Sequence, residues 1–358
     1  MSYSNLEVRD QYFSRLKALI EFNLRTHRQL HFLLRSIVAD NVLAERKTAL
    51  VAHSMGATVT LYFFHWIQDD SWIERHISNF VNIGGTLLGV PKAMTALLSG
   101  EMRDTVDMPA ALSGLVEKLF SRRERASLFR NWGGASSMYL KGGSAVWGDS
   151  DSAPDDRPDA TESYGQLVRF KNSTRNNLTL PDFLPFLLDR TPPAFQNMLA
   201  SNWSTGIERD AQQIERNQLP ENQRTWGNPL EARLPKAPSM KIYCLYGHGK
   251  ETERAYYYDG TGEFIDGTVA SGPNIPTVRN GVLMGDGDGT VSLLSLGSMC
   301  VDGWKRPRYN PSRIPIVTHE IKVRSVHSIS PLILTCYSTT QLRLILAEET
   351  AAEITSTF

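Results

Sequence analysis

Ala52-His53-Ser54-Met55-Gly56 sets a serine among small residues, after the short apolar run Thr48-Ala49-Leu50-Val51-Ala52 and before the apolar stretch Val59 to Ile67. Strand, tight turn and buried helix in that order make a variant of the G-x-S-x-G nucleophile turn, with Ala in the first position. Such a turn lifts the Ser54 hydroxyl above the strand ends. It also aims the Met55 amide at the carbonyl oxygen that becomes negative during acyl transfer. A serine nucleophile needs a base, and the base needs a buried acid to hold its tautomer, so an Asp and then a His are sought downstream. Gly285-Asp286-Gly287-Asp288-Gly289-Thr290-Val291 follows a strand candidate and offers the acid. A cation-binding or hairpin turn is the other use of such a segment, but Val291-Ser292-Leu293-Leu294 lacks the further oxygen ligands and the late Glu that a cation loop uses. After Asp288 only His319 and His327 remain. His319 falls inside a strand pattern, whereas His327, in Arg324-Ser325-Val326-His327-Ser328, falls in the loop where a catalytic histidine belongs. His53 reads as structural, and His27, His31, His65, His76 and His248 show no metal-ligand spacing, so neither a metal nor a cofactor is expected.

The elements that must position these groups read as a parallel α/β sheet. Leu6, Phe13, Leu16, Ile20 and Leu24 recur at helical spacing after a capping Asn5, and a second helical stretch is expected over Gln29 to Glu45. Phe80-Val81-Asn82-Ile83 with Gly84-Gly85 predicts a buried strand closed by a glycine turn. Strand, helix and strand in succession imply parallel pairing. Residues 99–238 loosen into charged, Pro- and Gly-containing segments and read as an inserted cap, between core segments 1–98 and 239–358. Periodicity returns at Met240 to Tyr246, Gly281 to Met284 and Ile316 to Val323 as three more strands, and Thr340 to Glu353 reads as a closing helix.

Composition narrows the function classes. The 358 residues carry 38 Lys+Arg against 38 Asp+Glu, so nothing in the net charge favours nucleic acid. With 41% hydrophobic and 21% charged residues the chain is expected to fold. The three cysteines, Cys244, Cys300 and Cys336, allow one bridge and exclude a disulfide scaffold. The N-terminus has no secretory pattern, and the most apolar stretch, Leu30 to Ala44, carries Arg35 and Asp40, so no membrane span is expected.

Longer stretches carry a family resemblance: Leu6-Glu7-Val8-Arg9-Asp10-Gln11-Tyr12-Phe13, Asn82 through Ala93, Trp226-Gly227-Asn228-Pro229-Leu230-Glu231, Tyr243 to Gly247 with Thr252 to Tyr258, and Asn280-Gly281-Val282-Leu283 leading into the aspartate turn. In this order they resemble the phospholipid:diacylglycerol acyltransferase branch of the lecithin:cholesterol acyltransferase family. The resemblance implies an α/β-hydrolase fold with an inserted cap, Ser54 as nucleophile, Asp288 as acid and Asp286 as a turn residue. It also implies transfer of a fatty acyl group from a phospholipid to diacylglycerol, giving triacylglycerol, at the endoplasmic reticulum membrane. Ser54 would be acylated first and then attacked by the acceptor alcohol. A lipase or phospholipase of the same fold, and a non-catalytic lipid-binding chain, are the alternatives.

The serine lies 53 residues from the start, where the family fold has further strands and an oxyanion loop, so N-terminal strands and an anchor are expected to be missing. Residues 25–46 are longer than the family's link, and beyond Val323 the resemblance stops, which leaves His327 assigned by position. Residues 1–358 alone are therefore expected to expose a sheet edge, to aggregate and to transfer little acyl.

Overall fold

The computed structural model describes residues 6–34, 47–158, 162–171, 174–271 and 277–322. In chain order the first elements are α1 (Leu6–Leu34), β1 (Thr48–His53), α2 (Met55–Ile67), α3 (Asp70–His76), β2 (Ile77–Ile83) and α4 (Pro91–Ser99). The remaining strands are β3 (Val168–Phe170), β4 (Lys241–His248), β5 (Lys250–Tyr258), β6 (Val278–Arg279), β7 (Val282–Gly287) and β8 (Ile316–Lys322).

Apolar runs too short for helices form the first sheet, in the order β1-β2-β4-β8 with every pair parallel. Among the described residues β1 pairs only with β2 and ends the sheet, with Val51 54% exposed. The expected sheet edge is therefore present in the described structure. Helix α2 is apolar nearly all round and buries Ala57, Leu61, Tyr62, Phe63, Phe64 and Ile67, as a helix in the interior must. Its neighbour α3 starts where Asp69 accepts hydrogen bonds from the amides of Ser71 (2.9 Å) and Trp72 (3.1 Å).

The spacing of Phe13, Ile20 and Leu24 becomes the buried stripe of α1, and Phe13 meets Phe63 and Trp66 with ring centroids 5.4 and 5.6 Å apart. Two separate helices were expected here. Instead α1 runs unbroken to Leu34, because Thr26-His27-Arg28-Gln29 offers neither Gly nor Pro to stop it. Asn5, the expected cap, and residues 35–46 lie outside the described residues. The closing helix expected over Thr340 to Glu353 lies outside them too.

A second sheet has the order β3-β5-β7-β6, joining a strand of the expected cap to strands that follow it. β3 pairs with β5 in parallel, and β7 runs antiparallel to both β5 and β6. Alternation does not reveal β5, since Glu253 and Arg254 stand within it and are buried. Arg254 places four of its five N–H donors. Its guanidinium grips Asp155 through two bonds of 2.8 and 2.9 Å and donates to the carbonyls of Tyr164 and Trp147. The Cys244–Cys300 disulfide ties β4 to the helix Leu293–Val301.

Lys141 is buried at 3% exposure, and its ammonium donates to the Ser137 carbonyl at 2.9 Å with no carboxylate partner among the described residues. Burial alone pulls its pKa down to about 7. Below that pH both folded and unfolded chains carry the proton, and the full burial penalty acts. Between about 7 and 10.5 the unfolded chain still binds a proton that the folded one has released, so stability rises with pH by up to about 1.4 kcal/mol per unit. Lys141→Met is expected to stabilise the protein most below pH 7 and to lose that advantage by pH 10. Denaturant midpoints at several pH values check this, and a difference independent of pH would contradict it.

Candidate active site

Ser54 closes the turn between β1 and α2 with φ 55° and ψ −124°, a left-handed conformation that an ordinary side chain adopts only under constraint. The constraint is a set of backbone bonds. The Ser54 amide donates to the Ile83 carbonyl at 3.0 Å, and the Ser54 carbonyl accepts from Ala57 (3.1 Å) and Thr86 (3.3 Å). Ala in the first position of the turn is accommodated, because a Cβ placed on Gly56 would be 3.7 Å from that of Ala52, an ordinary contact. Crowding falls instead on Gly85, where a Cβ would lie 2.0 Å from Asn82 Oδ1 and 2.7 Å from Ala57 Cβ. Met55 begins α2, so its amide is among the first-turn groups that have no intrahelical partner.

Asp288 follows β7. Its Oδ1 accepts from the amides of Thr290 and Val291, both at 2.8 Å. Its Oδ2 lies 3.4 Å from where a Cβ on Gly84 would sit, next to the residue whose carbonyl holds the Ser54 amide. Serine and carboxylate thus converge on the C-terminal end of β2. Asp286 is exposed, and its Oδ1 is engaged by the Gly249 amide at 2.6 Å. His319 stands within β8, where it is registered against Leu245. His327 lies outside the described residues, so the position of the proposed base is not part of this geometry.

Ser54 opens into a cavity of about 550 Å³ lined chiefly by small and apolar side chains, among them Met55, Ala93, Phe129, Trp132 and Met138, with Thr290 from the aspartate turn. His53 points away from it and lines a separate groove of about 420 Å³ beside β1 and α1. A larger cavity of about 950 Å³, lined by Asp286, Tyr246 and Glu320, does not include Ser54, so size alone does not locate the chemistry. Beyond the serine turn, sequence reading singled out only the Asn82–Ala93 stretch and the aspartate turn among the cavity walls, since residues 86–102, 129–138 and 290 meet only through the fold. One signal was available: Trp132 stands in a charged segment and is 51% exposed although it lines this cavity.

A parallel sheet with a strained serine at the end of β1, approached by a carboxylate on the glycine turn that follows β7 of the second sheet, is the mark of an α/β protein of hydrolase-like architecture. The chain belongs to the lecithin:cholesterol acyltransferase family, whose family model matches residues 2–338. It is similar to the phospholipid:diacylglycerol acyltransferase of Schizosaccharomyces pombe, 41% identical over 336 residues that cover 90% of this chain and 50% of that protein. It is also similar to the protein of that name from Saccharomyces cerevisiae, 35% identical across 90% of this chain and 48% of the other. A more distant likeness, 26% identical over 69% of this chain and 42% of the relative, is to the human lysosomal phospholipase A and acyltransferase. The chain spans about half the length of the first two relatives.

Proposed function

We propose that this chain carries the catalytic region of an O-acyltransferase that moves a fatty acyl group from a phospholipid to diacylglycerol through an acyl-enzyme on Ser54. The observation that carries the proposal is Ser54 itself, held on a strained turn and opening into a largely apolar cavity. In the first half-reaction the Ser54 oxygen bonds to the donor's carbonyl carbon, and the lysophospholipid leaves with the proton carried by the base, assigned to His327. In the second the diacylglycerol hydroxyl attacks the acyl carbon, and its proton returns through the same base to Ser54. The Met55 amide stabilises the oxyanion in both, Asp288 holds the base, and an apolar cavity that excludes water favours the alcohol over hydrolysis.

A membrane surface as the place of action is supported by Leu112, Leu115 and Leu119, exposed along one face of the helix Ala110–Leu119 that precedes the cavity residues Phe129 and Trp132. Among the described residues no helix is long and apolar enough to cross a membrane. The endoplasmic reticulum is the compartment proposed, and the Cys244–Cys300 disulfide suits its oxidising lumen. The test is a phospholipid labelled in its acyl chain, supplied with diacylglycerol. Label in triacylglycerol supports transfer, whereas label only in free fatty acid supports a phospholipase.

A further inference from the structure

Three Asn-X-Ser/Thr triplets stand in the sequence, headed by Asn172, Asn177 and Asn202, and the acyl-transfer reading uses none of them. Such a triplet is the acceptor pattern for an N-linked oligosaccharide, and the folded surface must leave room for the bulky, hydrated chain. Asn172 and Ser173 of the first lie outside the described residues. The fold separates the other two. Asn202 ends the helix Pro193–Asn202, where its Nδ2 donates to the Met198 carbonyl at 2.8 Å, and the next two residues of its triplet, Trp203 and Ser204, are each 6% exposed. Asn177 stands in a loop, is exposed, and opens into a hollow of about 770 Å³ walled almost wholly by polar side chains, among them Asp149, Ser150, Gln166 and Asn176. None of the residues walling this hollow lines the Ser54 cavity.

The Asn177 side chain is already held in place. Its Oδ1 accepts from the Phe170 amide at 3.1 Å, and its Nδ2 donates to Gln166 Oε1 at 2.8 Å. A carboxamide nitrogen carries two hydrogens, and linkage to a sugar replaces one, so the linked nitrogen still has a donor for Gln166. Thr179, the hydroxyl residue of the triplet, caps the helix Leu180–Leu188 through Asp182, whose Oδ2 accepts from both its amide (3.1 Å) and its hydroxyl (2.6 Å). We infer that Asn177 is an N-glycosylation site, taking an oligosaccharide from a lipid-pyrophosphate donor in the lumen of the endoplasmic reticulum. The bond from Nδ2 to the sugar C1 forms as the bond from C1 to the pyrophosphate oxygen breaks. One Nδ2 proton leaves to solvent, and the lipid pyrophosphate departs with the bonding pair. The inference rests on the compartment proposed above and sets the polar wall around Asn177 on its lumenal side. The Cys244–Cys300 disulfide is an independent mark of the same oxidising space.

The test uses the protein from the cells that naturally make it. Free thiols are alkylated, the glycan is removed by peptide:N-glycosidase in heavy-oxygen water, and tryptic peptides are mapped by mass. Arg175 lets trypsin part Asn172 from Asn177. A heavy-oxygen aspartate is expected at position 177 and not at 202. Made in the same cells, Asn177→Gln and Thr179→Ala should each lose the same single mobility step on a gel. Thr179→Ser keeps both the hydroxyl and the cap and should retain that step. An unlabelled position 177 would overturn the site, as would label at 202 in its place or label at 177 persisting in Thr179→Ala. The disulfide tells the two readings apart. An unmodified Asn177 in a chain with Cys244 and Cys300 bridged removes the glycosylation site alone, whereas an unmodified Asn177 with both cysteines alkylated removes the lumenal compartment as well.

Discussion

Ser54→Ala is expected to lower acyl release from phospholipid by about 10⁴- to 10⁶-fold while a diether phospholipid that cannot be cleaved binds as before. The substitution removes one oxygen and leaves the Cβ, so the turn keeps its strain, the Met55 amide keeps its direction and the cavity keeps its walls. What disappears is the covalent step. A labelled phospholipid followed into the protein band and into triacylglycerol should show both signals vanish together. Transfer near the unsubstituted rate would remove Ser54 from the mechanism. Ser54→Gly separates chemistry from strain. At φ 55° a glycine is unstrained, so this variant should be equally inactive yet about 1 kcal/mol more stable, read from thermal unfolding. A site that loses activity and gains stability is one where backbone strain is held for function.

What could be read in the chain beforehand follows from how local each determinant is. The serine turn is legible because its strand, small residues and helix are consecutive, and β2 with its Gly84-Gly85 turn is legible for the same reason. β5 is not legible, because Glu253 and Arg254 break the apolar alternation and become acceptable inside only through Asp155, Tyr256 and backbone groups distant in sequence. β3, with three residues, is shorter than any periodicity can register. Lys92 lies in the Asn82–Ala93 stretch of the family resemblance, which by itself gives it no place in the Ser54 cavity. Its place there comes from residues near 130 and from Thr290 that the fold brings around it. The family resemblance supplied Asp288 over Asp286, a choice the alternating glycines and aspartates leave open.

The geometry around those two aspartates makes the choice testable with an expected loss of about 10⁴-fold for Asp288→Asn. Oδ1 of Asp288 accepts two backbone amides, from Thr290 and Val291, and an NH₂ group cannot accept either of them. In the asparagine variant the carbonyl oxygen must therefore stay in the Oδ1 position. The NH₂ group is forced into the place of Oδ2, the oxygen near Gly84 at the C-terminal end of β2. A donor then stands where the imidazole of the base needs an acceptor, and the ring is held in the tautomer that cannot take the serine proton. The loop bonds survive, so thermal stability should change little while turnover collapses. Asp286→Asn keeps an oxygen for the Gly249 amide and sits exposed, so turnover within about threefold of the unsubstituted chain is expected. Rates of both variants on labelled phospholipid, read beside their melting curves, decide the matter. A large loss in Asp286→Asn with normal turnover in Asp288→Asn would move the acid to the other aspartate, and normal turnover in both would place the acid elsewhere in the chain.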